Sequence, residues 1–208
     1  MIDLDTIYQA HERIKNTVVE TPFAFAPRLS EECGCEVFLK KENLQVTGAF
    51  KIRGAYNKIA SLSDAERSQG VIAASAGNHA QGVAMAAQIF GIRALIVMPE
   101  STPLTKINGV RYYGAEVILA GSNYDEAYAY AAKYGAEHAM VFVHPFADEA
   151  VMAGQGTIAL EMLDTIKDLD AVVIPVGGGG LISGMASAIK ALSPSTRVIG
   201  VSAQGAPA

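Results

Sequence analysis

The chain has 208 residues, half of them apolar and 18% charged, so it can bury a substantial core and is not of disordered composition. A net charge of −5 argues against a nucleic-acid or acidic-membrane partner. No apolar run reaches the roughly 18 residues of a membrane span, and Met1-Ile2-Asp3-Leu4-Asp5 lacks the basic and apolar regions of a secretory signal.

Taken in chain order, apolar periodicity alternates between helical and strand spacing. Leu4, Ile7, Tyr8, His11 and Ile14 share one face of a first helix that Asp3 can cap. A connector follows Pro22, then Cys33 and Cys35, one residue apart with no histidine nearby to complete a metal site. That spacing is too close for an ordinary disulfide and suits a reducing, cytoplasmic setting. A strand is expected at 36–40 and a helix from near Gly48 to about Ala60, and Ser63-Asp-Ala-Glu66 reads as a capping box. Strands are then expected near 71–74, 94–98, 115–119 and 139–143, with helices near 78–90, 103–113 and 123–135 between them. A helix at about 148–166, a strand at 171–176, a helix at 181–192 and a strand at 197–201 complete the order. Short apolar runs alternating with single amphipathic helices predict an α/β protein built of right-handed β-α-β units on a parallel sheet.

Three stretches carry chemistry. Lys51 lies in Thr47-Gly-Ala-Phe-Lys-Ile-Arg53, just inside a predicted helix start where the dipole disfavours a cation. Its apolar, small-residue surroundings beside Phe50 favour partial burial, which lowers an amine's pKa and exposes a nucleophile. Ser75-Ala-Gly-Asn-His79 joins an apolar strand to an Ala-rich helix, and Gly177-Gly-Gly-Gly180 does the same before the helix at Leu181. Helix N-termini bind anions through unpaired N–H groups and the dipole. One reactive amine and two anion cradles describe a site for pyridoxal 5'-phosphate and an amino acid, with the phosphate in one cradle and the substrate carboxylate in the other.

Each stretch has a plainer reading. Most lysines are solvated surface charges, and Lys40 and Lys41 read as strand-edge charges of that kind. The glycine run can be a tight turn. A nucleotide-binding module is a rival, but the spacing is not G-x-G-x-x-G and no acidic residue follows at about 20 positions. Ser75 can be merely a helix cap, and His79 merely a satisfied buried histidine.

Lys41-Glu-Asn-Leu-Gln45, Thr47–Ala55, Ser75-Ala-Gly-Asn-His-Ala-Gln-Gly82, Ala153-Gly-Gln-Gly-Thr157 and Pro175–Leu181, in this order and spread over almost the whole chain, resemble the fold type II pyridoxal-phosphate enzymes, most closely the threonine dehydratases (threonine ammonia-lyases). The resemblance implies a tryptophan synthase β-like fold. A smaller domain (55–145) is inserted in a larger cofactor domain (1–54 and 146–208), whose C-terminal part, with the partner of the pyridine nitrogen, is absent from this chain. It implies that Lys51 is the lysine that holds the cofactor and the catalytic base. Phe50, Asn78, Gly177, Gly178, Gly179, Gly180 and Leu181 are expected to bind the cofactor, Asn78 at its phenolic oxygen. Ser75, Ala76, Asn78 and His79 are expected to bind the substrate, with no metal. The implied activity is β-elimination of L-threonine to 2-oxobutanoate and ammonia, and of L-serine to pyruvate, in a cytoplasmic homo-oligomer of isoleucine biosynthesis.

Ala76 separates the branches. Serine racemases of this family carry a serine there that serves the second face of Cα, and alanine transfers no proton. Phe146, after His144-Pro145, is aromatic as in many threonine dehydratases rather than the asparagine of serine racemases, and His79-Ala80 replaces the Thr-Gly usual in cysteine synthases. A serine racemase or serine dehydratase on the same scaffold, or a non-catalytic truncated chain, are the alternatives. Ala153–Thr157 matches the family, but spacing assigns its side chains no role beyond close backbone packing.

Overall fold

In the computed structural model, which describes residues 2–205, an aspartate opens the first helix as the sequence predicts. The Asp3 carboxylate accepts the Thr6 N–H at 2.8 Å and starts α1 (Leu4–Ile14), which buries Ile7, Ala10 and Ile14. The expected connector is instead β1 (Phe23–Phe25) and α2 (Pro27–Cys33), which Pro27 begins and Gly34, in the left-handed region at φ +67°, ends. β1 pairs antiparallel with β2 (Phe38–Lys40), and a 3₁₀ turn (Glu42–Leu44) follows. Gly48, with φ +71°, belongs to a turn, so α3 (Lys51–Ala60) starts three residues later than expected.

The capping box forms as predicted: Ser63 Oγ accepts the Glu66 N–H, and the Glu66 carboxylate accepts the Ser63 N–H at the start of α4 (Asp64–Gln69). The β/α run then reads β3 (Val71–Ala74), α5 (Asn78–Phe90), β4 (Ala94–Met98), α6 (Leu104–Arg111), β5 (Glu116–Leu119), α7 (Tyr124–Glu137) and β6 (Val141–Phe142). The last strand starts two residues into the apolar run at 139–143, because Ala139 takes a positive φ of 54° and turns the chain just ahead of Met140. After it come α8 (Glu149–Thr165), β7 (Ala171–Pro175), α9 (Gly180–Leu192) and β8 (Arg197–Val201).

The central sheet is parallel, in the order β5-β4-β3-β6. Successive residues of β3 and β4 face opposite sides. Val71, Ala73, Ile96 and Met98 enter a core with α3, α5 and α6, while Ile72, Ala74, Leu95 and Val97 enter a second core with α7. β4 lies to one side of β3 and β6 to the other, so the order reverses at β3, the position where open parallel sheets hold ligands beyond their C-terminal ends. The Ser75–His79 loop leaves β3 at that point. A third core joins α1, α8, α9 and the inner face of β7 and β8, which pair parallel with each other. Among the described residues no helix is long and apolar enough to cross a membrane.

α3 is clamped on two sides. Gly54 and Gly154 let α3 and α8 cross at backbone contact: a Cβ on Gly154 would lie 2.6 Å from Gly54 Cα. On the other side of the crossing, Gly156 and Gly184 let α8 meet α9 in the same way. The Ala153–Thr157 stretch therefore sits inside α8 and serves close packing, with Thr157 Oγ1 also accepting from Arg53. The Arg53 side chain, wholly buried, donates to both oxygens of Glu42, both oxygens of Glu161 and the Val19 carbonyl. Lys40 joins it, pairing with Glu161 and donating to Thr21 O at 2.6 Å. Its side chain is 7% exposed, so it is no strand-edge charge. Two cations and two carboxylates balance in this cluster, which orients the turn bearing Lys51.

Candidate active site

Lys51 is the first residue of α3, with no acidic residue in that turn to offset the dipole. Its Nζ donates to the Pro145 carbonyl at 2.8 Å and stands 5.4 Å from the centre of the Phe50 ring. Burial lowers its pKa. The bonded partner is a carbonyl rather than a carboxylate, so no full negative charge counteracts that shift at the contact.

Phe50, Lys51, Phe146, Pro175, Gly177, Gly178, Gly179, Gly180 and Leu181 line one cavity of about 220 Å³. The structure thus brings the predicted lysine, its aromatic neighbour and the whole glycine loop to one place. Gly179 is the N-cap of α9 at φ +83° and Gly180 begins the helix, one residue before the expected start at Leu181. The first intrahelical bond runs from Ser183 N–H to Gly179 O at 2.9 Å, leaving the N–H groups of Gly180, Leu181 and Ile182 unused by the helix.

The four glycines have separate causes. A Cβ on Gly178 would collide with the Phe146 ring, and one on Gly180 would lie 2.8 Å from Phe146 Cα. Gly179 needs its positive φ, and nothing stands within 4 Å of a Cβ on Gly177. Packing and backbone conformation therefore explain three of them, and the open space at Gly177, before an uncapped 13-residue helix, is what an anion would use. An amine without a carboxylate partner and a glycine-lined helix N-terminus on one cavity fit pyridoxal phosphate.

Gly178→Ala is expected to destabilise the chain by about 1–3 kcal/mol because the added methyl must displace Phe146. Adding Phe146→Ala removes that clash, so the double variant should lose less than the sum of the two single losses. Denaturant unfolding measures both, and strict additivity would mean that the ring and the loop do not touch.

The Ser75–His79 loop is not a wall of this cavity. Gly77 caps α5, and Ser75 Oγ accepts the Gly77 N–H at 3.2 Å rather than capping the helix itself. Ser75 and Ala76 are half-buried and Asn78 is exposed. His79 is 2% exposed, and its Nε2 lies 2.9 Å from the Val143 carbonyl. A carbonyl only accepts, so Nε2 carries the proton and Nδ1 is bare; Nδ1 is buried and has no partner among the described residues. Burial pushes the His79 pKa down to about 4, so the ring is neutral near pH 7.

The loop and the cavity are tied together through residues 143–148. Val143 O receives His79, Pro145 O receives Lys51, Phe146 lies on the glycine loop, and Asp148 caps α8 while pairing with Lys58 at 2.8 Å. His144 Nδ1 accepts the N–H groups of Phe146 and Ala147. In the sequence Phe146 marks only a branch of the family, and nothing there gives His144 or the Pro145 carbonyl a place. A His-Pro pair ahead of a helix was the available signal, but nothing in the spacing shows which elements that turn touches.

The match to the "Pyridoxal-phosphate dependent enzyme" family model spans residues 14–208, and the chain belongs to that family, whose cofactor is pyridoxal phosphate. It is 57% identical over 207 residues to the L-threonine ammonia-lyase of Thermotoga maritima, covering all of this chain and 52% of that one. The crystal structure of serine racemase from Dictyostelium discoideum superposes with a TM-score of 0.93 at 37% identity, covering 98% of this chain and 66% of that one. The processed threonine deaminase isoform 2 of Solanum lycopersicum superposes with a TM-score of 0.90 at 43% identity, covering 96% and 56%. The chain thus spans about half the length of its T. maritima relative.

Proposed function

We propose that this chain carries the cofactor-holding part of a threonine ammonia-lyase, which converts L-threonine to 2-oxobutanoate and ammonia and L-serine to pyruvate. The supporting observation is Lys51 itself, a partly desolvated amine at a helix start with a carbonyl for partner, opening on the same cavity as the glycine loop. When bound, pyridoxal phosphate supplies the electron sink for a carbanion at the substrate Cα. The chain's own residues do the rest. Lys51 holds the cofactor and, with its lowered pKa, removes the Cα proton as the neutral amine. The N–H groups opening α9, with Gly177, take the phosphate. Phe50 walls the ring, Ser75 and the α5 N-terminus take the substrate carboxylate, and Asn78 orients the cofactor's phenolic oxygen. Ala76 offers no proton to the opposite face of Cα.

In the same reading residues 55–145, which contain the four-stranded sheet, form the smaller inserted domain. The protein is a cytoplasmic homo-oligomer of amino-acid metabolism, a setting in which the two exposed free cysteines stay reduced.

The likeness to a serine racemase favours a second reading, racemisation of serine on the same scaffold. Incubating the protein with pyridoxal phosphate and L-threonine or L-serine, and following ketoacid release beside chiral analysis of the amino acid, separates the two. A missing general acid costs roughly a hundredfold or more, so D-serine is expected at under about a hundredth of the ketoacid rate. D-serine at a comparable rate would overturn the lyase reading.

A further inference from the structure

His144 performs no step in the reading above, yet its ring sits where the site's elements meet. Nδ1 accepts the N–H of Ala147 at 2.8 Å and of Phe146 at 3.2 Å. Two donors on one ring nitrogen require it to be unprotonated, so the proton of the neutral ring lies on Nε2. The ring is wedged between aromatic neighbours: Phe146 edge-on at 4.6 Å, Tyr128 at 5.8 Å and Phe142 at 6.2 Å between centroids. The turn closed by Nδ1 presents two groups outward. The Pro145 carbonyl receives the Lys51 amine, and the Phe146 ring lies against Gly178.

We infer that His144 is a positioning residue, whose Nδ1 holds the 144–147 turn closed so that the Pro145 carbonyl anchors Lys51 and Phe146 seals the glycine loop. The geometry is that of a side-chain acceptor serving the N–H groups two and three residues ahead, which an asparagine Oδ1 reproduces and an alanine does not.

The inference carries a pH sense. The charged and titratable groups facing the ring are Lys51, His79 and Asp148, the last paired with Lys58; Tyr128 contributes its ring edge. Burial is the largest influence on His144 and lowers its pKa; Lys51 lowers it further and Asp148 opposes. Protonation would put an N–H where two N–H groups already point. The closed turn therefore binds a proton less readily than the open one. Closure is complete above the ordinary histidine value of about 6.5 and weakens by up to about tenfold per unit as pH falls below it.

The test compares the native chain with His144→Ala and His144→Asn, using competitive acetylation of Lys51 across pH, read by peptide mass spectrometry, with no cofactor present. In His144→Ala the released turn admits water, and the Lys51 labelling midpoint should rise from its native value toward that of an exposed lysine. In His144→Asn it should stay at the native value. An unmoved midpoint in His144→Ala, or equal shifts in both variants, would overturn the inference, since the second result would credit the ring's packing rather than its acceptor. If His144→Ala fails to fold, amide exchange in the native chain decides. Corrected for intrinsic rates, exchange at Phe146 and Ala147 should rise by up to about tenfold per unit below pH about 6.5 while Ile96 in β4 stays protected. Flat exchange between about pH 7 and 5 would refute it. The inference rests on Lys51 being the cofactor lysine only for its functional consequence: attachment of pyridoxal phosphate to a different lysine would sink that assignment and leave these readouts standing.

Discussion

Replacing Lys51 with alanine is expected to abolish covalent capture of pyridoxal phosphate, while Lys41→Ala leaves capture intact. Capture needs an amine that sheds its proton readily beside a place for the phosphate, and in the proposed reading Lys51 stands where the two meet. Burial lowers its pKa, and its cavity is walled by the glycine loop and the uncapped start of α9. Lys51→Arg should fail equally, because a guanidinium stays charged at any accessible pH and cannot attack a carbonyl. Lys40, though adjacent in sequence, is a poor control: its side chain is locked between Glu161 and the Thr21 carbonyl, and removing it disturbs the fold. The measurement is intact and peptide mass after borohydride reduction, with the visible absorbance of the bound cofactor beside it. Stoichiometric labelling of the Lys51→Ala chain on another lysine would remove Lys51 from the role.

The features legible in the sequence are those whose cause is local. Asp3 and Ser63 announce their helices because a cap needs only residues within one turn. β3 and β4 stand out because strands buried on both faces are continuously apolar. The place of Lys51 at a helix start beside an aromatic ring is legible because both are its immediate context. What the sequence hides is set by partners far along the chain. Lys40 has the pattern of a surface charge until Glu161, 121 positions later, is packed against it. The glycines at 178 and 180 resemble an anion path, but Phe146 accounts for their missing side chains, its ring at Gly178 and its backbone at Gly180. β1 and α2 are too short for periodicity to register. Ala139 conceals a strand boundary because alanine carries no turn signal.

Glu161→Ala is expected to cost about 3–5 kcal/mol of stability, because it leaves buried cations without their partner. Glu161 serves Arg53, which is wholly buried, and Lys40, which is 7% exposed, from a side chain itself 5% exposed. Water cannot replace the carboxylate at such depth without opening the contact between α3 and α8. Glu42 remains, but one carboxylate then faces two cations. The charge count offers a check that volume alone would not. Lys40→Met with Glu161→Gln removes one charge of each sign and leaves Arg53 with Glu42, so this double variant should be markedly more stable than Lys40-intact Glu161→Gln. Urea unfolding of the native chain, Lys40→Met, Glu161→Gln and the double variant, with the slope held to the native value, gives the coupling. A cost below about 1 kcal/mol for Glu161→Ala would place the cluster among solvent-screened surface pairs. The consequence reaches the candidate site through geometry. Arg53 is two residues beyond Lys51 on the first turn of α3, so loosening its anchor lets that turn shift relative to the glycine loop. Displacements near 1 Å can cost roughly a hundredfold in a reaction that depends on alignment. Under conditions where the Glu161→Ala chain is still folded, it should therefore capture pyridoxal phosphate more slowly than the native chain; equal rates would show that the buried cluster holds the fold together without aiming Lys51.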